Sequence, residues 1–197
     1  SPHIDDELLG PGGILDEKTH VVYCGYDESH LADRPTAEDR LKEAEDVAEY
    51  LGHTFELLDN KINNYSVTKL IGDIENIINI FKPDEIYIPH PSYNQHHKTV
   101  YDAAMVATRP HDRNWFVKKI LLYEQPQVIL WNNTNREFKP NYYVPIDIER
   151  KINAYKIMKS QVRSFRSPEL LKSMAHIRGQ QSNYEYAEAF EILRWIK

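Results

Sequence analysis

Residues 3–7 (HIDDE) place one imidazole and three carboxylates within five consecutive positions. Imidazole nitrogen and carboxylate oxygen are both donors that Zn²⁺ accepts. The side chains of Asp5 and Asp6 cannot easily point the same way, so we expect one to bind a metal and the other to face a substrate as a base. Acidic residues are also favoured at the start of a helix, and taken alone this segment fits that plainer interpretation better.

A second group of candidate ligands, residues 90–97 (HPSYNQHH), contains three histidines. It directly follows the apolar run 85–89 (EIYIP), which predicts a buried strand. Ligands of open parallel sheets bind at the carboxyl ends of the strands, so we expect this segment at the functional edge. Paired histidines also occur as plain surface residues, and the position after a strand makes the two interpretations about equal. A catalytic zinc site needs three protein ligands, and segments 3–7 and 90–97 together offer them.

The elements that must position these residues alternate between strands and helices. Strands are predicted over 19–26, 53–58 and 85–89, and helices over 36–51, 67–81 and 146–165, with a further helix or a helix–strand end over 184–194. Such alternation predicts an α/β fold, a Rossmann-like three-layer α/β/α domain over residues 1–197 with a mainly parallel sheet. A strand before Ser1 would bring His3 to the same edge as the later histidines.

Composition sets the broad class of the protein. A chain of 197 residues with a net charge of −6 suits one globular domain and lacks the basic footprint of nucleic-acid binding. No apolar run approaches the roughly 20 residues of a membrane helix, and no signal peptide opens the sequence, so we expect a cytoplasmic protein. Cys24, the one cysteine, lies in an apolar run and is expected to be a buried thiol.

Together the motifs resemble those of the LmbE-like (PIG-L) family of zinc-dependent de-N-acetylases, which includes N-acetylglucosaminyl-phosphatidylinositol deacetylases. Residues 2–7 (PHIDDE), followed by the glycine pair 12–13, look like the family's first motif, with Ile4 in place of the usual proline. Residues 40–44 (RLKEA) look like the start of its Arg-x-x-Glu-Ala helix. Residues 94–97 (NQHH) look like its second metal motif, with His96 where the motif has aspartate.

The resemblance continues towards the end of the chain. Arg178-Gly179 and residues 186–190 (YAEAF) look like the closing segment of the family, and Ser160-Gln161 looks like its late Ser-Gln pair. The motifs occur in the family's order over nearly the whole sequence. Their co-occurrence is more specific than any single motif, since residues 186–190 alone would read as an amphipathic helix.

The resemblance implies an LmbE-like fold and residue roles. His3, Asp6 and His97 are implied as ligands of Zn²⁺, although the same ligand set also accepts other divalent metals such as Fe(II). Asp5 is implied as the general base that takes the proton of the attacking water. Arg40 is implied as a contact to the substrate away from the reacting amide.

The reaction implied is removal of acetate from an N-acetylated sugar or sugar conjugate. Zinc lowers the pKa of its water to about 7, and a donor among Tyr93, Asn94 and His96 would stabilise the oxyanion. Asn94 and His96 are therefore catalytic candidates, with His96 or Asp5 giving the proton to the leaving amine. Tyr93 is also a candidate substrate contact. The irregular segment 125–145 is expected to form a wall of the substrate site, and its aromatic residues suit a sugar platform or the core.

Three alternatives remain open at this point. A catalytically silent member of the same fold would bind a sugar without turning it over, although it would need no base beside a metal. An amidase for a different acyl conjugate would use the same zinc apparatus. A nucleotide-binding α/β module fits the alternation of elements but not the absence of a GxGxxG segment.

Overall fold

The computed structural model describes residues 1–26, 35–131 and 136–197. The strands in these ranges are β1 His20–Tyr23, β2 Thr54–Leu57, β3 Glu85–Pro89, β4 Lys119–Tyr123, β5 Tyr142–Pro145 and β6 Ala187–Trp195. The helices are α1 Asp6–Leu9, α2 Ala37–Leu51, α3 Val67–Phe81, α4 Gln95–Ala107, α5 Pro126–Leu130, α6 Ile148–Ile157 and α7 Pro168–Gln181, with a 3₁₀ turn Lys159–Gln161. None of the helices described has the length and apolar content needed to cross a bilayer.

The strands form two sheets. β1 and β2 pair in parallel, with His20 opposite Thr54. The larger sheet has the order β3-β4-β6-β5, in which β3 and β4 are parallel while β6 runs antiparallel to both of its neighbours. The first residue extends beside β1, because the Ser1 amino group donates to the Val22 carbonyl (2.7 Å) and the Cys24 amide donates back to Ser1 (2.8 Å). These two hydrogen bonds hold the start of the chain, and with it residues 3–7, against the sheet.

Helices cover both faces of the strands. In β4, Ile120 and Leu122 point into a hydrophobic cluster with α3 and α4, whereas Leu121 and Tyr123 point the other way. In β1, Val21 and Tyr23 contact a separate cluster built with α2, α6 and α7. This alternation is the period of two that a strand imposes. The expected α/β class and three-layer arrangement are confirmed, and Cys24 is buried as expected.

Local signals place the helix ends where the sequence predicts them. Thr36 and Asp39 form a reciprocal capping box at the start of α2, and Gly52 ends that helix with φ 88°, a conformation that suits glycine. α3 ends at Phe81, just before Pro83, which cannot continue a helix. β3 spans the predicted residues 85–89.

Two predictions about the C-terminal third are wrong. The helix predicted over 146–165 ends at Ile157, after which the chain makes a 3₁₀ turn and leads residues 161–166 towards the site. Of the two alternatives expected over 184–194, a helix is wrong and a strand end is found, since Ala187–Trp195 is a strand that pairs with both β4 and β5. Helix-forming Ala and Glu favour a helix there locally, but pairing in the sheet overrides so weak a preference.

Candidate metal and active site

Two residues of the first motif, His3 and Asp6, meet His97, which lies 91 or more positions further along the chain. His3 precedes α1, Asp6 is the first residue of α1, and His97 lies in the first turn of α4. One possible ligand atom from each lies within 4.8 Å of the others, as a shared metal ion requires. The structure therefore brings together His3, Asp6 and His97, the three predicted ligands.

The Asp6 carboxylate is held at both of its oxygens. Oδ2 lies 2.8 Å from His3 Nδ1 and 3.4 Å from His97 Nε2, while Oδ1 accepts a hydrogen bond from Gln125 Nε2 (2.6 Å). Burial acts to raise the pKa of Asp6, but the neighbouring His97 and His3 lower it well below its usual range. Asp6 is therefore ionised, and one of its oxygens faces the two imidazoles.

This donor set fits a divalent metal. Two imidazoles and one ionised carboxylate are the ligands of many catalytic zinc sites, and they leave a coordination position open. The same set also fits Fe(II) and related ions. The end of α1 packs tightly against β4, because a Cβ at Gly10 would collide with the Tyr123 ring. This contact helps to hold Asp6 in place.

Asp5 lines the same cavity as the ligand cluster but is not one of its members. Its backbone has φ 141° and ψ −25°, a conformation that a residue with a side chain rarely adopts. Arg166 Nη1 donates to Asp5 Oδ2 (2.6 Å), and Arg166 Nη2 donates to Gln161 Oε1 (2.8 Å). Burial raises the pKa of Asp5, whereas Arg166 opposes that shift. Strained backbone of this kind is frequent at functional sites.

His96 lies beside the cluster and contacts His3. His96 Nδ1 is 2.7 Å from His3 Nε2, and the Asn63 amide donates to His96 Nε2 (2.9 Å). Burial, reinforced by His3 and His97, lowers the pKa of His96 to about 4. A nitrogen that accepts from an amide carries no proton, and in the contact between His96 Nδ1 and His3 Nε2 the tautomers of the two rings decide which nitrogen donates.

The other predicted site residues have different surroundings. Asn94 is the N-cap of α4, where its Oδ1 accepts from the His96 amide (2.8 Å). Arg40 is buried and its Nη2 donates to the Ile4 carbonyl inside the first motif. Tyr93 is largely exposed. His90, the third histidine of segment 90–97, is buried outside the ligand cluster beside Phe138.

A cavity of about 300 Å³ opens beside these residues. His3, Asp5, Asp6, His97 and Arg166 all line it. Its lining also includes Arg40, Tyr93, Asn94 and His96, so every residue predicted for the site borders one cavity. The segment 125–145 contributes Gln127, while residues 132–135 of that segment lie outside the described residues.

Sequence reasoning missed Arg166 and Gln125, which hold Asp5 and Asp6. Gln125 had a usable signal, since it follows the apolar run 119–123 just as residues 90–97 follow β3. Arg166 had none, because its contact spans 161 positions and it directly follows the segment 146–165, which is predicted to be helical. Gln161 appeared only as part of the Ser-Gln pair.

Comparison with known proteins identifies relatives by sequence and by fold. The family model PIG-L, described as GlcNAc-PI de-N-acetylase, matches residues 1–108. Among curated proteins, none matches the sequence. A structure of the conserved protein TT1542 from Thermus thermophilus superposes with a TM-score of 0.81 at 21% identity, covering 100% of this chain and 93% of that chain.

Two further structures are similar. GalB, the 4-carboxy-2-hydroxymuconate hydratase from Pseudomonas putida KT2440, has a TM-score of 0.80 at 18% identity, covering 100% of this chain and 95% of its own. The N,N′-diacetylchitobiose deacetylase from Pyrococcus horikoshii has a TM-score of 0.75 at 25% identity, covering 98% of this chain and 81% of its own. The fold is thus shared by proteins named for different reactions.

Proposed function

Because the chain belongs to the PIG-L family, whose model matches residues 1–108, we propose that it is a metal-dependent N-deacetylase of an N-acetylated sugar or sugar conjugate. The observation that carries the proposal is the convergence of His3, Asp6 and His97 at one cavity, with the carboxylate of Asp5 beside them. The similar protein from Pyrococcus horikoshii, named as a deacetylase of N,N′-diacetylchitobiose, supports the same reaction.

His3, Asp6 and His97 would hold the metal, and Zn²⁺ is our first assignment. A divalent ion bound there acts as a Lewis acid, polarising the acetamide carbonyl and lowering the pKa of the attacking water. Gln125 supports this role by holding Asp6 Oδ1, which leaves Oδ2 directed at the imidazoles. Such outer contacts orient ligands and tune their affinity for the metal.

Asp5 is the proposed general base. Arg166 occupies its Oδ2, so Oδ1 is the oxygen left to take a proton from the attacking water. Burial favours the protonated form that results, and the same carboxyl can then give its proton to the leaving amine. The products are acetate and a free amino sugar.

Asn94 and Tyr93 are the proposed donors to the developing oxyanion. The Oδ1 of Asn94 caps α4, so its NH₂ group is the part that remains to donate into the cavity. The Tyr93 hydroxyl lies on a side chain exposed at the cavity. His96 is turned towards His3 instead, and we assign it the role of orienting that ligand.

The test is metal analysis combined with an acetate-release assay on N-acetylglucosamine derivatives. Wild type is expected to bind about one equivalent of metal and to release acetate, as a single three-ligand site implies. Asp6→Asn should lose the metal. Asp5→Asn should keep it while kcat falls about 10²–10⁴-fold, the usual contribution of a general base.

Two results would contradict the proposal. Stoichiometric metal without acetate release from any N-acetylated sugar would favour the silent binding member or an amidase for another acyl group. Hydration of an unsaturated acid by the same preparation would favour a reaction like that named for GalB, since one fold supports several chemistries. The Asp5→Asn variant would then identify whether the same site is used.

A further inference from the structure

Three exposed aromatic rings adjoin one another at the mouth of the cavity. The Tyr93 and Trp131 ring centroids are 6.3 Å apart at 67°, and those of Trp131 and Phe165 are 5.6 Å apart at 54°. Tyr93 is 57% exposed, and Trp131 and Phe165 are each 41% exposed. Tyr93 and Phe165 also line the cavity itself. We call this group of three side chains the aromatic ridge.

The aromatic ridge is assembled from three separate segments. Tyr93 lies between β3 and α4, Trp131 follows α5, and Phe165 follows the 3₁₀ turn. Single exposed aromatic residues are ordinary, but contiguous exposed apolar surface beside a polar cavity is characteristic of ligand-binding sites. Other aromatic residues of segment 125–145 are placed differently, since Phe138 is buried and Tyr142 packs against Phe190.

The size of the cavity limits what it can enclose. Its volume of about 300 Å³ is at the lower end of the range for ligand pockets, roughly 300–1,000 Å³. One sugar unit therefore suits this cavity. Any group attached to that unit must leave the cavity across its rim, where the aromatic ridge lies.

We propose that the aromatic ridge binds the second, non-reacting sugar ring of the substrate, an inference that rests on the proposed function. A pyranose ring presents an apolar face of C–H groups and an edge of hydroxyls. Aromatic faces carry negative partial charge and attract the weakly positive C–H groups. Tyr and Trp also offer large, rigid contact areas at a low cost in conformational entropy.

The lining of the cavity favours a sugar over a long acyl chain as the occupant. Among the described residues that line it, only Leu9 and Ile62 have aliphatic side chains. Asn63, Asn94 and Gln127 line it with amides that suit sugar hydroxyls. A fatty acyl chain would place its methylene groups against these polar side chains, and burying polar groups without partners is costly.

The test compares N-acetylglucosamine with the disaccharide N,N′-diacetylchitobiose in Trp131→Ala and Phe165→Ala. We expect kcat/KM for the disaccharide to fall about tenfold in each variant, as loss of one aromatic contact implies. The value for the monosaccharide should change less than about twofold. Trp115→Ala is the matched control, because Trp115 is 40% exposed and its indole N–H donates to the Pro83 carbonyl rather than facing the aromatic ridge.

A binding measurement keeps the two proposals separable. Trp115→Phe/Trp195→Phe leaves Trp131 as the sole tryptophan, so its fluorescence should change saturably with the disaccharide and hardly with the monosaccharide. Deacetylation without this change, or an equal loss of kcat/KM for both sugars, overturns the ridge proposal alone. A saturable change without acetate release would support the ridge and contradict the proposed function. If Trp131→Ala and Phe165→Ala impair only the turnover of long-chain N-acyl sugars, the aromatic ridge contacts the acyl group and the ridge proposal is wrong.

Discussion

Arg166 Nη1 lies 2.6 Å from Oδ2 of Asp5, so the candidate base is held by a guanidinium. Arg166 is itself fixed, because its Nη2 donates to Gln161 Oε1 and its carbonyl accepts from the Tyr155 hydroxyl (2.7 Å). In this ion pair Oδ2 of Asp5 accepts the hydrogen bond from Arg166, so Oδ1 is the oxygen that Arg166 leaves free. The ion pair also opposes the effect of burial, which raises the pKa of Asp5. Arg166 thus acts on the reaction through the position and charge of Asp5.

Replacing Arg166 by Gln should lower kcat about 10–100-fold with little change in KM, as misplacement of a reacting group does. Arg166→Lys should recover only part of that loss, since lysine keeps the charge but not the planar fork. Steady-state kinetics at saturating metal measures kcat and KM of both variants. Added guanidinium, far below denaturing concentrations, should partly rescue an Arg166→Ala variant.

The matched control is Arg194→Gln. Arg194 is also partly buried and donates to the Thr108 and Val117 carbonyls, away from the cavity lining. It should lower the stability of the protein and leave kcat unchanged. A wild-type kcat in Arg166→Gln would show that Asp5 needs no such partner.

Substitution of His96 by Asn should weaken metal binding about 10–100-fold, which is typical of losing an outer contact to a metal ligand. The reason is that His96 Nδ1 contacts His3 Nε2 while the Asn63 amide holds the far side of the ring. Chelator competition gives the dissociation constant of the metal. Saturating metal should restore kcat in the variant.

The control for His96 is His176→Asn, because His176 is exposed and lies in α7, outside the cavity lining. If His96 instead protonates the leaving amine, kcat will stay low in His96→Asn however much metal is added. The two roles are therefore distinguished by one titration.

The parts of the fold that were predictable have local signals. The α3 prediction rests on its apolar spacing and on Pro83, and the helix ends at Phe81. The residues of the site are brought to one cavity as the motifs imply, but their roles as ligands, base or substrate contacts stay predictions. Arg166 and Gln125 were not foreseen because their contacts depend on how distant segments pack.

The strand Ala187–Trp195 replaces the helix that was one of the structures expected over 184–194. Its residues favour a helix locally, yet two neighbours in the sheet satisfy its backbone. Glu188 on this strand accepts from the Gly13 amide (2.7 Å) and from Lys151 Nζ (2.6 Å). The closing motif of the sequence therefore supports the loop after the first motif, a tertiary role that spacing alone does not reveal.

Lys151→Met should destabilise the protein by about 3–5 kcal/mol, the cost of leaving one partner of a buried ion pair unpaired. Both Lys151 and Glu188 are buried, and Lys151 also donates to the Gly10 carbonyl (2.7 Å). Urea unfolding measures the free energy of unfolding of each variant. Lys151→Met/Glu188→Gln should recover part of the loss, since no unpaired charge remains.

The control pair is Lys172 and Glu149, which are also 2.6 Å apart but exposed. Lys172→Met should cost less than about 1 kcal/mol, as exposed pairs do. Equal losses in Lys151→Met and Lys172→Met would mean that burial of the first pair has no energetic consequence.

His53→Leu should make stability less sensitive to acid. The His53 ring is buried, its two nitrogens have no hydrogen-bond partner among the described residues, and burial lowers its pKa from 6.5 to about 4. Between these values the unfolded chain binds a proton that the folded chain does not, so stability is unaffected by this titration above pH 6.5 and falls as the pH drops towards 4. Allowing for partial solvent screening, we expect wild type to lose about 1–2 kcal/mol more than His53→Leu between about pH 7.5 and pH 5.

Urea unfolding at both pH values measures this difference in acid sensitivity, with exposed His111→Leu as the control that should behave like wild type. At neutral pH His53→Leu should be at least as stable as wild type, because it removes two buried polar atoms without partners. An identical acid sensitivity in all three proteins would show that folding does not lower the pKa of His53.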